Sequence, residues 1–222
     1  MDLFLIANIY LIICSGFSLG CGIAEIFKKG TLPTYFYFVL FAILSTFLSR
    51  IFSTLSIAFN GGLPDSFTIG FLGYAASFLF IFFANFGQMD LLIDDKDRKN
   101  PKYILISLII PVLELFFAVL SLFIGKEALS IRISYVVISV PAALAGYYNV
   151  KHMVVPDVDL GILRSIRGYN LTAFLMGLLS LAEIGVSVYG RSDLDIYIQF
   201  MLGLTYAAVI HILIKEVQQW TK

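Results

Sequence analysis

The sequence predicts an all-α, polytopic integral membrane protein. It should form a single seven-transmembrane-helix bundle over residues 1–222, N-terminus outside and C-terminus inside. Three observations carry this reading: an apolar composition, seven continuous apolar runs of bilayer length, and a lopsided distribution of cationic residues. The chain is 59% hydrophobic and 14% charged, with a mean hydropathy of +0.92. A soluble domain has roughly 45–50% apolar and about 25% charged residues. A soluble enzyme, a nucleic-acid-binding domain and a disordered regulator are thereby excluded. Fifteen Lys and Arg balance fifteen Asp and Glu, so only the placement of charge is informative.

The spans read as Leu3–Phe27, Thr34–Phe59, Phe67–Met89, Tyr103–Ile124, Ile131–Val150, Gly168–Tyr189 and Asp195–Ile214. Each is close to the ~20 residues that cross a hydrocarbon core. The runs are continuously apolar, whereas barrel strands would be about ten residues long and alternating. Breaks fall at Lys28-Lys29-Gly30, Asn60-Gly61-Gly62-Leu63-Pro64, the charged run Asp94–Lys102, Gly125-Lys126, Pro156-Asp157 and Gly190-Arg191-Ser192-Asp193, all breaker-rich. Met1-Asp2-Leu3 lacks the basic start of a signal peptide, and the first apolar run is too long for one. It reads as a retained helix. Cys14 and Cys21, both in that run, stand about 10.5 Å apart along a helix axis, too far for a disulfide.

Orientation follows from the cations. Eleven belong to one side: Lys28, Lys29, Lys96, Arg98, Lys99, Lys102, Lys151, Arg164, Arg167, Lys215 and Lys222. Three belong to the other: Lys126, Arg132 and Arg191. The richer side is read as cytoplasmic, with Trp220 as an anchor at the inner interface. The longest connection, 151–167, is too short for a domain. Its segment Leu160–Arg167 reads either as a short amphipathic helix on the inner leaflet or as a plain connector into span six.

Helix contacts in lipid favour small and polar residues. Such residues recur at helical period as Asn8, Ser15, Ser18, Gly22 and Glu25; Ser45, Ser49, Ser53 and Ser56 beside Thr46; Gly70, Gly73, Ser77 and Ala84 beside Asn85, with Gln88; Gly177, Ser180, Glu183 and Ser187; and Gln199, Gly203 and Tyr206. These faces should meet inside the bundle. Gly16-x-x-x-Gly20 fits a close helix contact but is a weak signal.

Arg50, Glu114 and Glu183 lie deep in spans two, four and six, where ionisable groups cost several kcal/mol. The assigned orientation brings Arg50 and Glu183 to nearly the same depth, with Glu114 about a turn deeper. One cation and two carboxylates suggest a buried cluster. Arg50 should pair with Glu183 or Glu114, as a structural tie or as part of a ligand or ion site. Glu25 and His211 lie near inner helix ends, within reach of the interface. His152 falls in a loop, so two histidines give no metal site. Pro111 and Pro141 interrupt spans four and five.

No phosphate loop, HExxH or GxSxG motif occurs, and neither a catalytic set nor a cofactor is expected. The loop Asp94-Asp95-Lys96-Asp97-Arg98-Lys99 contains an Asp-x-Asp pair of the kind that holds Mg²⁺ beside a phosphate, but its interleaved cations read as a solvated charged turn, and Asp157-x-Asp159 is likewise isolated. The span count and orientation resemble seven-helix sensory domains of microbes, without a shared motif. The sequence has no mid-helix lysine for retinal and no Asp-Arg-Tyr or Asn-Pro-x-x-Tyr. Spans one to three and five to seven share an orientation, as in three-plus-one-plus-three sugar transporters. Arg50 and Glu183 fall in corresponding helices, although no Pro-Gln pair marks their inner ends.

The leading expectation is a multi-pass cell-membrane receptor or sensor. It would bind a small or lipid-like ligand in the outer half of the bundle, lined by Arg50, Tyr74, Ser77, Glu114, Glu183, Gln199 and Tyr206. Its inner loops 94–102 and 151–167 would meet anionic lipid or a cytoplasmic partner, with no nucleic acid. A small-solute or ion transporter is the alternative, and a lipid-modifying enzyme the third.

Overall fold

The computed structural model describes residues 3–60, 69–90, 97, 99–155, 162–190 and 192–220. Seven long α-helices make up the described chain: α1 (Leu3–Lys29), α2 (Thr34–Asn60), α3 (Ile69–Ala84), α4 (Pro101–Ile124), α5 (Leu129–Val154), α6 (Ile162–Val188) and α7 (Ser192–Trp220). All seven contain a stretch long and apolar enough to cross a membrane, so the chain has the make-up of a multi-pass membrane protein. The segment Asn85–Met89 continues α3 as a π-helical turn.

Local chemistry sets several helix ends. Asn100 caps α4, its side-chain oxygen accepting the Lys102 N–H at 3.1 Å, with Pro101 in the first turn, where its missing N–H costs nothing. Gly30 ends α1 with φ of 76°, the left-handed conformation of a helix stop. Pro111 and Pro141 are buried inside α4 and α5, and both helices run on through them.

Six helices form a closed ring. α1 packs on α2, α2 on α3, α3 on α5, α5 on α6, α6 on α7, and α7 back on α1. α4 stands outside and packs chiefly on α5. Accordingly, α4 buries the smallest share of its residues among the seven. Contacts between helix ends define two ends of the bundle. Lys151 reaches Asp90, Gln218 reaches Glu25, and Arg167 reaches the Val155 carbonyl, so these residues share the end that carries Lys28 and Lys29. Tyr10 against Phe200, and the Lys126 N–H to the Val188 carbonyl, lie toward the opposite end.

Between helices in lipid, close packing and polar contacts replace the hydrophobic drive. The expected stripes face inward: Asn8, Ser15, Ser18, Gly22 and Glu25 are all buried on α1. Large apolar side chains such as Ile13, Phe17, Leu48, Phe116 and Leu204 point outward and are more than half exposed. Gly73 lets α3 approach α2, where an added Cβ would stand 2.7 Å from Ser49 Cβ and 2.8 Å from the Ser45 carbonyl oxygen. Gly203 gives the Tyr10 ring its seat on α7, a position any Cβ would occupy. The Gly16/Gly20 expectation holds only in part: Gly16 faces the Phe47 ring, while Gly20 has nothing within 4 Å.

Residues 162–167 are neither a separate amphipathic helix nor a connector, because α6 already starts at Ile162. His152 is not in a loop: α5 runs to Val154 and buries it completely. The expectations for Asp94, Asp95, Lys96, Arg98, Asp157, Asp159, Arg191, Lys222 and the 61–66 turn lie outside the described residues. So do those for the side chains of Gln88, Arg164, Ser187 and Trp220.

Candidate functional site

The polar faces of α1, α2, α3, α6 and α7 converge in the half of the ring away from Lys28 and Lys29. Arg50 and Glu183 sit on α2 and α6, opposite members of the ring. They meet as a two-pronged ion pair: Arg50 Nη1 donates to Glu183 Oε1 at 2.5 Å, and Nη2 contacts Oε2. Arg50 is 3% exposed and Glu183 7%, so the pair lies deep within the protein. A planar guanidinium matches a carboxylate in this two-bond geometry better than an ammonium can.

Neighbours from three more helices complete the layer. Tyr74 of α3 donates its hydroxyl to Glu183 Oε2 at 3.2 Å, and its ring lies 5.1 Å from the Arg50 guanidinium carbon. Gln199 of α7 donates to Glu183 Oε1 at 3.0 Å and to Asp195 Oδ2 at 3.2 Å. Asn8 Oδ1 of α1 lies 3.5 Å from Arg50 Nη1. Among the described residues, three atoms of the layer are buried without a protein partner: Arg50 Nε, Asp195 Oδ1 and Gln199 Oε1. The layer therefore holds one donor and two acceptors in excess of its internal bonds.

One turn toward the Lys28–Lys29 end lies a second, neutral layer. Thr46 donates to Ser77 Oγ at 3.0 Å. The Tyr206 phenol faces Thr46 and Ser180, and the Tyr206 carbonyl accepts Ser18 at 2.8 Å. The structure thus gathers Arg50, Tyr74, Glu183 and Gln199 in one layer and Ser77 and Tyr206 in the next.

Glu114 is the exception. It does not join Arg50 and Glu183, so the expected cluster of one cation and these two carboxylates is absent. The reason is topological: α4 lies outside the ring, and its inward face meets α5 and α6 rather than α2. Glu114 instead adjoins a crevice of about 430 Å³ between α4 and α6, and a small void of about 10 Å³ against Gly146 and Asn149. The second carboxylate near Arg50 is Asp195. Sequence reasoning took Asp195 for a span boundary, although it lies one turn before Gln199 and therefore on the same face.

Two polar groups near the Lys28–Lys29 end were also missed. Lys151 Nζ stands 2.7 Å from Asp90 Oδ1, and His152 Nε2 stands 3.6 Å from the same oxygen. His152 Nδ1 lies 3.3 Å from Asn85 Oδ1, and Asn85 donates to Asn149 at 2.7 Å. The π-helical turn starts at Asn85, in contact with this cluster; such turns often mark functional positions. Burial pushes the Asp90 carboxyl up, but His152 and Lys151 beside it outweigh burial and hold it below its ordinary value. The sequence places Lys151 and His152 in the loop because hydropathy ends span five at Val150, whereas the helix runs on to Val154. The other group is Glu216, which accepts the Tyr169 N–H at 3.3 Å near the start of α6. Glu25, expected at the interface, is buried and accepts Gln218 at 3.0 Å, whereas His211 is exposed.

Comparison of the chain with protein-family models, curated proteins and solved structures finds no match.

Proposed function

We propose that the protein is a receptor- or sensor-like module of a cell membrane, binding a small or lipid-like ligand within the ring at the Arg50–Glu183 layer. The N-terminus faces outside and the cation-rich end faces the cytoplasm, where the 94–102 and 151–167 segments meet anionic lipid or a partner protein. Arg50, Tyr74, Ser77, Glu183, Gln199 and Tyr206 bind the ligand, and Asp195 joins them. The observation that carries the reading is the ion pair between opposite helices, bordered by Asp195 Oδ1 and Gln199 Oε1, which have no protein partner among the described residues. A ligand group that competes for either charge loosens the tie between α2 and α6. Differential affinity for the tied and loosened states then shifts the population between them.

The test is isolation of the protein from its membrane in mild detergent, followed by native mass spectrometry. Support is a small molecule retained one-to-one and lost from an Asp195→Asn, Gln199→Leu double variant that unfolds at the same temperature. Equal retention by both chains defeats the reading.

A transporter is the second reading, favoured by one observation. With α4 outside the ring, α1–α3 and α5–α7 occupy equivalent halves, the layout of a parallel repeat around a central site. Flux of a solute through proteoliposomes, abolished by the same double variant, favours transport over sensing.

A further inference from the structure

A separate site lies on the flank of the bundle. α4 packs on α5 but leaves a seam against α6, and the seam holds the crevice of about 430 Å³. That volume falls within the roughly 300–1,000 Å³ of small-molecule pockets. Its walls are Ile110, Leu113 and Phe117 of α4 and Leu178, Leu181 and Val186 of α6. Leu113, Phe117 and Leu178 are 48%, 50% and 38% exposed, so the crevice opens sideways, toward the hydrocarbon of a bilayer.

Into this apolar wall the chain places one carboxyl group. Glu114 lies near the middle of α4 and lines both the crevice and the small void beside it; among the described residues, its buried Oε2 has no hydrogen-bond partner. That oxygen turns to Gly146, where an added Cβ would stand 3.6 Å from it, on the small void that adjoins the crevice. Tyr135, on the floor, brings a hydroxyl into the same crevice; that hydroxyl would lie 3.1 Å from a Cβ added at Gly185. An unpaired carboxyl at this depth costs several kcal/mol, and the burden is lifted by a partner that can donate a proton or a charged hydrogen bond.

We propose that this crevice binds a single-chain amphiphile with a primary-amine head, which enters from the bilayer and sets its nitrogen on Glu114 and its alkyl chain along the α4–α6 seam. Charge complementarity selects the head group. On contact the proton is shared between carboxyl and amine, and the pair is net neutral whichever of them held it. A fatty acid would set carboxyl against carboxyl, and an alcohol would make one neutral hydrogen bond. The site does not depend on the Arg50–Glu183 reading, because none of its lining residues belongs to that layer.

The experiment uses the full chain in phosphatidylcholine nanodiscs, with diazirine-bearing dodecylamine as the probe and the matching alcohol and carboxylic acid as controls. Photolabelled residues are mapped by mass spectrometry. The amine should label α4 and α6 saturably and at about tenfold lower concentration than the alcohol, a difference of about 1.4 kcal/mol. Glu114→Gln should erase that advantage and leave alcohol labelling unchanged. Ala182→Trp, which fills the crevice from α6, should reduce labelling by both and serves if Glu114→Gln does not fold. Asp195→Asn with Gln199→Leu should leave amine labelling intact, so failure of one site is distinguishable from failure of the other. The proposal is overturned if Glu114→Gln labels like the native chain, if the alcohol or acid matches the amine, or if saturable labelling maps away from the seam.

Discussion

Replacing Arg50 with Leu removes the cation of the central layer while leaving Glu183 where it is. Arg50 is 3% exposed and bonds both Glu183 oxygens. Removing one member of a buried pair typically costs about 3–5 kcal/mol, because the other is left charged and unpaired. Here Glu183 keeps two donors, Tyr74 and Gln199. The expected loss is therefore at the lower end, about 3 kcal/mol. Glu183→Gln alone should cost a similar amount, since it strands the guanidinium beside an amide. The double variant should recover about 2 kcal/mol relative to the sum of the single changes, within the usual range for directly bonded residues. The assay is reversible unfolding by SDS in bicelles, read as a double-mutant cycle. A coupling below about 0.5 kcal/mol, the scatter expected of independent sites, would refute the claim that the pair ties α2 to α6.

Gly203→Leu should destabilise the fold by about 1–3 kcal/mol through overpacking, since the Tyr10 ring occupies that space; unchanged unfolding would contradict the packing. Stability should also respond to acid through Asp90. Its carboxyl is held below the ordinary value, so the linked stability is fully present above about pH 4 and is lost as pH falls through the lowered value. A pH series of thermal unfolding should show this loss in the native chain and a flatter profile in Asp90→Asn. Single cysteines at Lys99 and at Asp65, in a Cys14→Ser, Cys21→Ser background, test orientation in intact cells. A membrane-impermeant maleimide should label position 65 and spare position 99, and the reverse pattern inverts the assignment.

Much of the bundle is legible in the sequence because a bilayer imposes simple constraints. A span must be about 20 residues long and apolar, and its polar residues must turn away from lipid. Hence the seven helices, the inward stripe from Asn8 to Glu25, and the pairing of Arg50 on α2 with a carboxylate on another helix are all readable. The position of α4 is not. Nothing in the composition of residues 101–124 says that α3 packs on α5 and excludes α4 from the ring, and so Glu114 could be matched to Arg50 by depth alone. Helix ends were the second weak point. Lys151, His152, Asp195 and Glu216 all lie within a turn or so of an expected boundary, where hydropathy falls because charged residues are present. Charges that pair inside the protein look the same, in sequence, as charges that meet water.

The arrangement of ties between the two halves of the ring bears on receptor against transporter. Taking α1–α3 and α5–α7 as halves, Asp90–Lys151 joins α3 to α5 and Glu25–Gln218 joins α1 to α7, both near the Lys28–Lys29 end. Arg50–Glu183 joins the halves in the layer nearer the opposite end, where Tyr10 also packs on Phe200. Rocking of one half against the other must break ties at one end while those at the other hold. With the seam closed at both ends, transport requires two separate ruptures in each cycle, each of a buried ion pair. Sensing requires only that a ligand favour the loosened form of the central pair. The closed seam and the acceptors beside Arg50 and Glu183, unpartnered among the described residues, therefore support the proposed ligand-set switch over the transport reading.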